Sequence, residues 1–141
     1  MIRHIPMVAF QTALYKLLTE KQTTPVYDDV PRKMTPPAIT FGTFVSTMGG
    51  AKQVDISEVK IYLDLWSEYE GKMEINTIAE EVSAVYTAWD LDLSESGYRV
   101  ISKDIVEFNA YPEEKTGYHG VLTLTAEIQY IGGNKNVNGI A

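Results

Sequence analysis

Two stretches of the chain repeat apolar residues at the three- and four-residue spacing of a helix with one buried face. Between Pro6 and Glu20 the repeat consists of Phe10, Ala13, Leu14, Leu17 and Leu18. Pro6 suits a first helical turn, where its missing N–H would have no partner in any case. In the second stretch Ile75, Ile78, Ala79, Val82, Val85, Tyr86 and Trp89 form one stripe, while Glu74, Thr77, Glu80 and Glu81 point elsewhere. Ser67 to Glu70 has the spacing of a capping box, but Gly71 predicts a turn first and a helix from near Lys72.

Elsewhere the period shortens to two, the mark of strands. Ile39, Phe41, Thr43 and Val45 alternate with Thr40, Gly42, Phe44 and Ser46. Val59, Ile61, Leu63 and Leu65 alternate with Lys60, Tyr62, Asp64 and Trp66, and Leu122, Leu124, Ala126, Ile128 and Tyr130 repeat the pattern. From Tyr98 to Ala110 the alternation slips around Ser102–Ile105, which predicts a bulge or bend. Prolines 25, 31, 36 and 37 make the stretch from Gln22 to Pro37 irregular. Ser46–Ser57, with Gly49-Gly50, reads as a long hairpin connection, and Tyr111–Gly120 as another. The expected fold is α+β: a mainly antiparallel sheet of about four or five strands with two helices packed on one face, in the order α-β-β-α-β-β. Residues 1–131 are expected to form a single domain and 132–141 a flexible tail.

Composition narrows the function. The chain has 141 residues, 45% hydrophobic and 22% charged, ordinary for a globular protein. No apolar run reaches the ~18–20 residues of a membrane helix, and the start lacks a signal-peptide cleavage site, so no membrane partner is expected. The net charge of −7 is unevenly spread: residues 55–95 hold eleven acids and two bases. The longest basic run is Arg32-Lys33, which disfavours direct binding to nucleic-acid phosphates.

Candidate chemistry is sparse. With no cysteine there is no thiolate nucleophile, disulfide, zinc finger or iron–sulfur site. His4 and His119 are the two histidines, and neither accompanies a Gly-x-Ser-x-Gly elbow. His119, beside Gly120 in a hairpin, reads as a hydrogen-bonding residue. Asp28-Asp29, Asp90-x-Asp92 and Glu113-Glu114 lack the ligand pattern of a calcium loop, and Gly49-Gly50-Ala51-Lys52 lacks the spacing of a phosphate loop. No catalytic, metal or cofactor site is assigned. Tyr62 and Trp66, on the strand face opposite the aliphatic one, read equally as burial against a neighbouring subunit and as packing within the chain.

In serial order the motifs resemble a known family. Val26-Tyr27-Asp28-Asp29-Val30-Pro31 and then Pro37-Ala38-Ile39-Thr40-Phe41-Gly42 resemble its Val-Tyr-Asp-x-Val-Pro and Pro-Tyr-Val-Thr-Leu-Gly blocks, with Ala38 in place of the aromatic. Val59–Trp66, the amphipathic helix to Trp89 and Gly117-Tyr-His-Gly-Val-Leu-Thr-Leu follow in the family's order, so that the likeness runs from about Phe10 to Tyr130. The family is that of tail-completion, or tail-to-head joining, proteins of long-tailed bacteriophages and prophages.

The resemblance implies a virion protein made in the host cytoplasm that assembles with itself as a ring, usually a hexamer. Such a ring sits on the tail tube protein, stops tube growth and meets the head connector or neck proteins. Alternatives are a neck adaptor binding the connector directly, or a small metal-dependent enzyme or regulatory binding domain. A closed ring needs two different contact surfaces on each subunit. Candidates are Tyr62 and Trp66 on the strand, Gly49, Gly50 and Lys52 in the first connection, and Tyr111, Tyr118 and His119 around the second. The hypothesis for the acidic middle is that Glu80 and Glu81 face the channel and let DNA pass without binding. Glu80→Lys with Glu81→Lys is then expected to slow DNA release from purified virions while leaving assembly intact; release at the normal rate would refute it.

Overall fold

The computed structural model describes residues 1–50 and 53–132. Helix α1 (Met7–Lys21) buries Phe10, Leu14, Leu17 and Leu18, the expected stripe. No glycine ends it. Instead the buried Gln22 folds back, its side-chain nitrogen donating to Leu18 O at 2.8 Å and Thr24 O at 2.6 Å while its oxygen accepts from Thr24 N at 2.9 Å. The first of these bonds satisfies a carbonyl that the helix end leaves open, and the others fix the turn that follows.

Strand β1 (Val26–Tyr27) follows, then β2 (Ala38–Gly49), β3 (Ile56–Ser67), helix α2 (Met73–Ala88), a single 3-10 turn (Ser94–Ser96), β4 (Tyr98–Pro112) and β5 (Tyr118–Tyr130). They form one sheet in the order β1-β2-β3-β5-β4. After β3 the chain crosses through α2 to the far edge, and the β4–β5 hairpin inserts β5 between β3 and β4. Every neighbouring pair is antiparallel except β1 with β2. The α+β expectation holds, with the addition of β1. That two-residue strand lies inside the proline-rich segment read as irregular; Pro25, which has no N–H to donate, still accepts from Ile39 N at 2.8 Å.

The core lies between the sheet and the helices. Val59, Ile61, Leu63 and Leu65 of β3 are wholly buried, and across from them Ala126, Leu124 and Leu122 of β5 continue the layer. Each such large aliphatic contributes about 1.5–3 kcal/mol by leaving water. Helix α2 adds Ile75, Ile78, Ala79, Val82, Val85 and Tyr86. The Tyr86 hydroxyl donates to Thr125 O at 2.9 Å, and burial, reinforced by Asp104, pushes its ionisation far up.

Several expectations are corrected. Trp89 is 48% exposed because α2 ends before it and its backbone turns extended; Lys21 Nζ sits 4.1 Å over its ring. The alternation of β2 breaks at an irregularity between Phe41 and Phe44. Phe44 therefore turns inward to meet Phe10 at 6.2 Å, while Val45 faces solvent. Gly42 sits within this break, where a Cβ would lie 2.7 Å from Tyr62 O and 2.8 Å from Asp64 Oδ2. The first hairpin connection is shorter than read, since pairing runs out to Gly49↔Ile56. The slip expected in β4 is present as two register shifts, between Val100 and Ser102 and between Ile105 and Glu107. Gly132, in the expected tail, donates to Gly97 O at 3.1 Å, and positions 133–141 lie outside the described residues. No helix among the described residues is long and apolar enough to cross a membrane.

Two tertiary devices hold α2 to the sheet. Lys103 of β4 donates from Nζ to Tyr86 O and, at 2.8 Å, to Trp89 O, a cation at the open C-terminal carbonyls of α2. Desolvation lowers the Lys103 pKa, and Asp90 opposes the shift. At the other end Ser67 Oγ donates to Glu74 at 2.7 Å and accepts from Tyr69 N at 3.1 Å, tying the end of β3 to the first turn of α2. Gly117 packs beneath this corner with φ +87°, and a Cβ there would meet Ser67 O at 2.0 Å. Gly117→Ala is expected to destabilise by about 2–4 kcal/mol, from left-handed strain plus a backbone clash. Gly49→Ala, with open space around the added methyl, should stay within about 0.5 kcal/mol. Urea unfolding of the two variants checks the contrast.

Candidate assembly surface

The residues that alternate with the β3 core set project to the sheet face that carries no helix. Glu58, Lys60, Tyr62, Asp64 and Trp66 lie there, opposite Glu127, Thr125, Thr123, Val121 and His119 of β5. Tyr111 of β4 pairs with His119, and Thr40 of β2 with Asp64. The register thus brings one row of polar and aromatic side chains together across four strands.

At the end near the β4–β5 turn these side chains form a connected tray. The indole of Trp66 and the imidazole of His119 stack with centroids 4.0 Å apart and planes at 3°. Trp66 Nε1 donates to Thr40 Oγ1 at 3.1 Å. His119 Nε2 lies 2.8 Å from Asp64 Oδ1, and its Nδ1 lies 3.0 Å from the Tyr111 hydroxyl. An ionised Asp64 can only accept, so Nε2 carries the proton in that bond; Nδ1 of a neutral ring then accepts from Tyr111. Both ring nitrogens are occupied and the ring is pinned on one face. This arrangement holds the ring rigid. Among the described residues no group of three His, Cys, Asp or Glu side chains could hold a metal ion.

The structure unites Trp66, Tyr111 and His119, with Tyr62 further along the same face. It separates Tyr118, which packs against the core from the helix side. Gly49 and Gly50 lie at the opposite end of the β2–β3 hairpin, where Gly49 pairs with Ile56, and Lys52 lies outside the described residues. Glu80 is exposed and lines a shallow groove with Asn76, Ala79, Ser83 and Phe108. Glu81 lines a different one and accepts from Thr23 Oγ1 at 3.1 Å. Sequence reasoning missed Asp64 and Thr40. Asp64 shares the alternation of Tyr62 and Trp66 and was legible from it; Thr40 required the β2–β3 register.

A second clamp was also missed. His4 Nδ1 lies 2.7 Å from the buried carboxylate of Asp55, the His4 ring stacks on Tyr130 at 3.6 Å, and Tyr130 in turn meets Tyr98 at 5.2 Å. It pins the N-terminal segment to the end of the sheet.

The sequence model of the family described as "Tail completion protein gp17" matches residues 11–129, and so spans all five strands and both helices save the first turn of α1 and the last residue of β5. The chain belongs to the tail completion protein gp17 family. It is thus a structural component of the phage-tail type, and the tray is a surface of a tail completion protein. A solved chain from the "Virion of native gene transfer agent (GTA) particle" has the same fold, with a TM-score of 0.79 at 20% identity over 89% of this chain and 98% of that one. No curated protein matches the sequence.

The tray makes a direct prediction for stability. Trp66→Phe keeps a ring against His119 but removes the donor to the buried Thr40 hydroxyl. The expected loss is about 1–2 kcal/mol, read as a lower urea midpoint with an unchanged slope.

Proposed function

We propose that this tail completion protein caps the tail tube of a phage-like virion as a hexameric ring, stops its growth and presents the surface at which the head joins. The observation that carries the reading is the helix-free sheet face, where a Trp66–His119 stack is held rigid by hydrogen bonds to Thr40, Asp64 and Tyr111. Preorganised, half-buried aromatics bordered by polar groups suit a protein interface, since little side-chain entropy remains to be lost on contact. Family membership supports tail completion, and the virion source of the similar fold supports a place within a particle. The partners in this reading are further copies of the chain, the tail tube protein and the connector or neck proteins; no cofactor and no catalysis are assigned to it.

Glu80, exposed on α2, remains the better channel candidate of the acidic pair, because Glu81 is tied to Thr23. Electron microscopy of tails from a strain lacking the protein tests the role. Overlong tubes are expected. Tails of normal length without heads would favour a neck adaptor, and intact virions would overturn both.

A further inference from the structure

The helix-free sheet face and the outer face of α1 are opposite sides of the same two-layer molecule, and their properties complement each other. On the sheet face Glu58 and Glu127 stand directly opposite across β3 and β5, both exposed. Like charges so placed repel. Neither has an ion pair among the described residues, where the salt bridges are those of Arg3 and His4 with Asp55 and of His119 with Asp64. Asp104 and Glu107 of β4 add further acid to this face. Lys60 and Arg99 are its bases, and Arg99 is engaged by Gln129 at 2.6 Å. At the irregularities of β4, Ile101, one residue before the partner of Glu127, is 43% exposed, and Val106, one residue before the partner of Thr123, is 52% exposed.

The outward stripe of α1 consists of Val8, Thr12, Tyr15, Lys16 and Thr19, all exposed and spaced as one helical face. Val8 is 74% and Tyr15 40% exposed. Lys16 has no ion pair among the described residues. Of the other cations in residues 1–21, Arg3 pairs with Asp55 and Lys21 lies over Trp89, so Lys16 is the cation of the stripe.

We propose that the α1 stripe of one copy docks on the helix-free sheet face of the next, with Lys16 seated at the Glu58–Glu127 pair and Val8 and Tyr15 covering Ile101 and Val106. The occupant is a second copy of this chain because the cation and apolar residues that the sheet face needs stand together on the other layer of the same molecule. Such a front-to-back contact is heterologous, the kind that closes into a ring. The inference rests on the ring reading and specifies its subunit contact.

The test is a charge swap, read as the fraction of purified tail tubes capped by added protein in a strain lacking its own. Glu127→Lys and Lys16→Glu, each alone, should lower capping at least about tenfold by opposing like charges across the contact. The two together should restore it to within about threefold of wild type. The loss should be steepest at low ionic strength. Glu127→Lys should meanwhile raise the thermal midpoint of the free subunit by about 1–3 °C, since it turns a repulsive cross-strand pair into an attractive one. Assembly and folding then move in opposite directions, which a folding defect cannot produce. Single variants that cap like wild type, a double variant that fails to recover, or a thermal midpoint lowered by Glu127→Lys would each overturn the proposal. Failure of the ring reading has a different signature: tails of ordinary length without the protein.

Discussion

The pairing of β3 with β5 is the constraint on which the rest of the structure depends. Twelve consecutive residue pairs, from Ile56↔Gln129 to Ser67↔Tyr118, run without interruption. Side chains alternate faces, so a slip of one residue would exchange the two faces of the sheet. Val59, Ile61, Leu63 and Leu65 would then lose the helices, and Trp66 and His119 would leave the bare face. Core and bare aromatic face are thus two consequences of one register, enforced by the apolar area on its inner side.

The outer strands show how the register is kept while the sheet edges bend. β2 and β4 both contain shifts, whereas β3 and β5 between them contain none. The irregularities sit where one strand must lengthen relative to a straight neighbour, and each turns a side chain: Phe44 inward, Ile101 and Val106 outward. Glycines serve close approaches. Gly42 makes room at the β2 break, and Gly120 lies under Phe108 and Ile75, where a Cβ would stand 2.8 Å from the Phe108 ring.

Both histidines of the chain are used alike. Each pairs with a carboxylate, Asp55 or Asp64, and each stacks on an aromatic ring, Tyr130 or Trp66. One clamp fastens the N-terminal segment and the other stiffens the bare face. In the Asp64–His119–Tyr111 series both nitrogens of His119 are hydrogen-bonded and the ring lies flat against Trp66. The chemistry fits a tail completion protein, whose work is contact.

The period of the apolar residues was enough, in the sequence alone, to determine both helices, the four long strands and the inner face of β3 and β5, because burial follows directly from spacing. The serial order of short motifs was enough to place the family. Tyr62 and Trp66 were legible as lying on the face opposite the core by the same alternation. What only the tertiary structure decided are the relations between residues distant in the chain: β5 inserting between β3 and β4, Asp64 and Tyr111 closing on His119, His4 meeting Asp55, and Lys103 capping α2. Strand order and register set these contacts. They arise from packing of whole elements, and a local pattern holds no record of which strand will lie beside it.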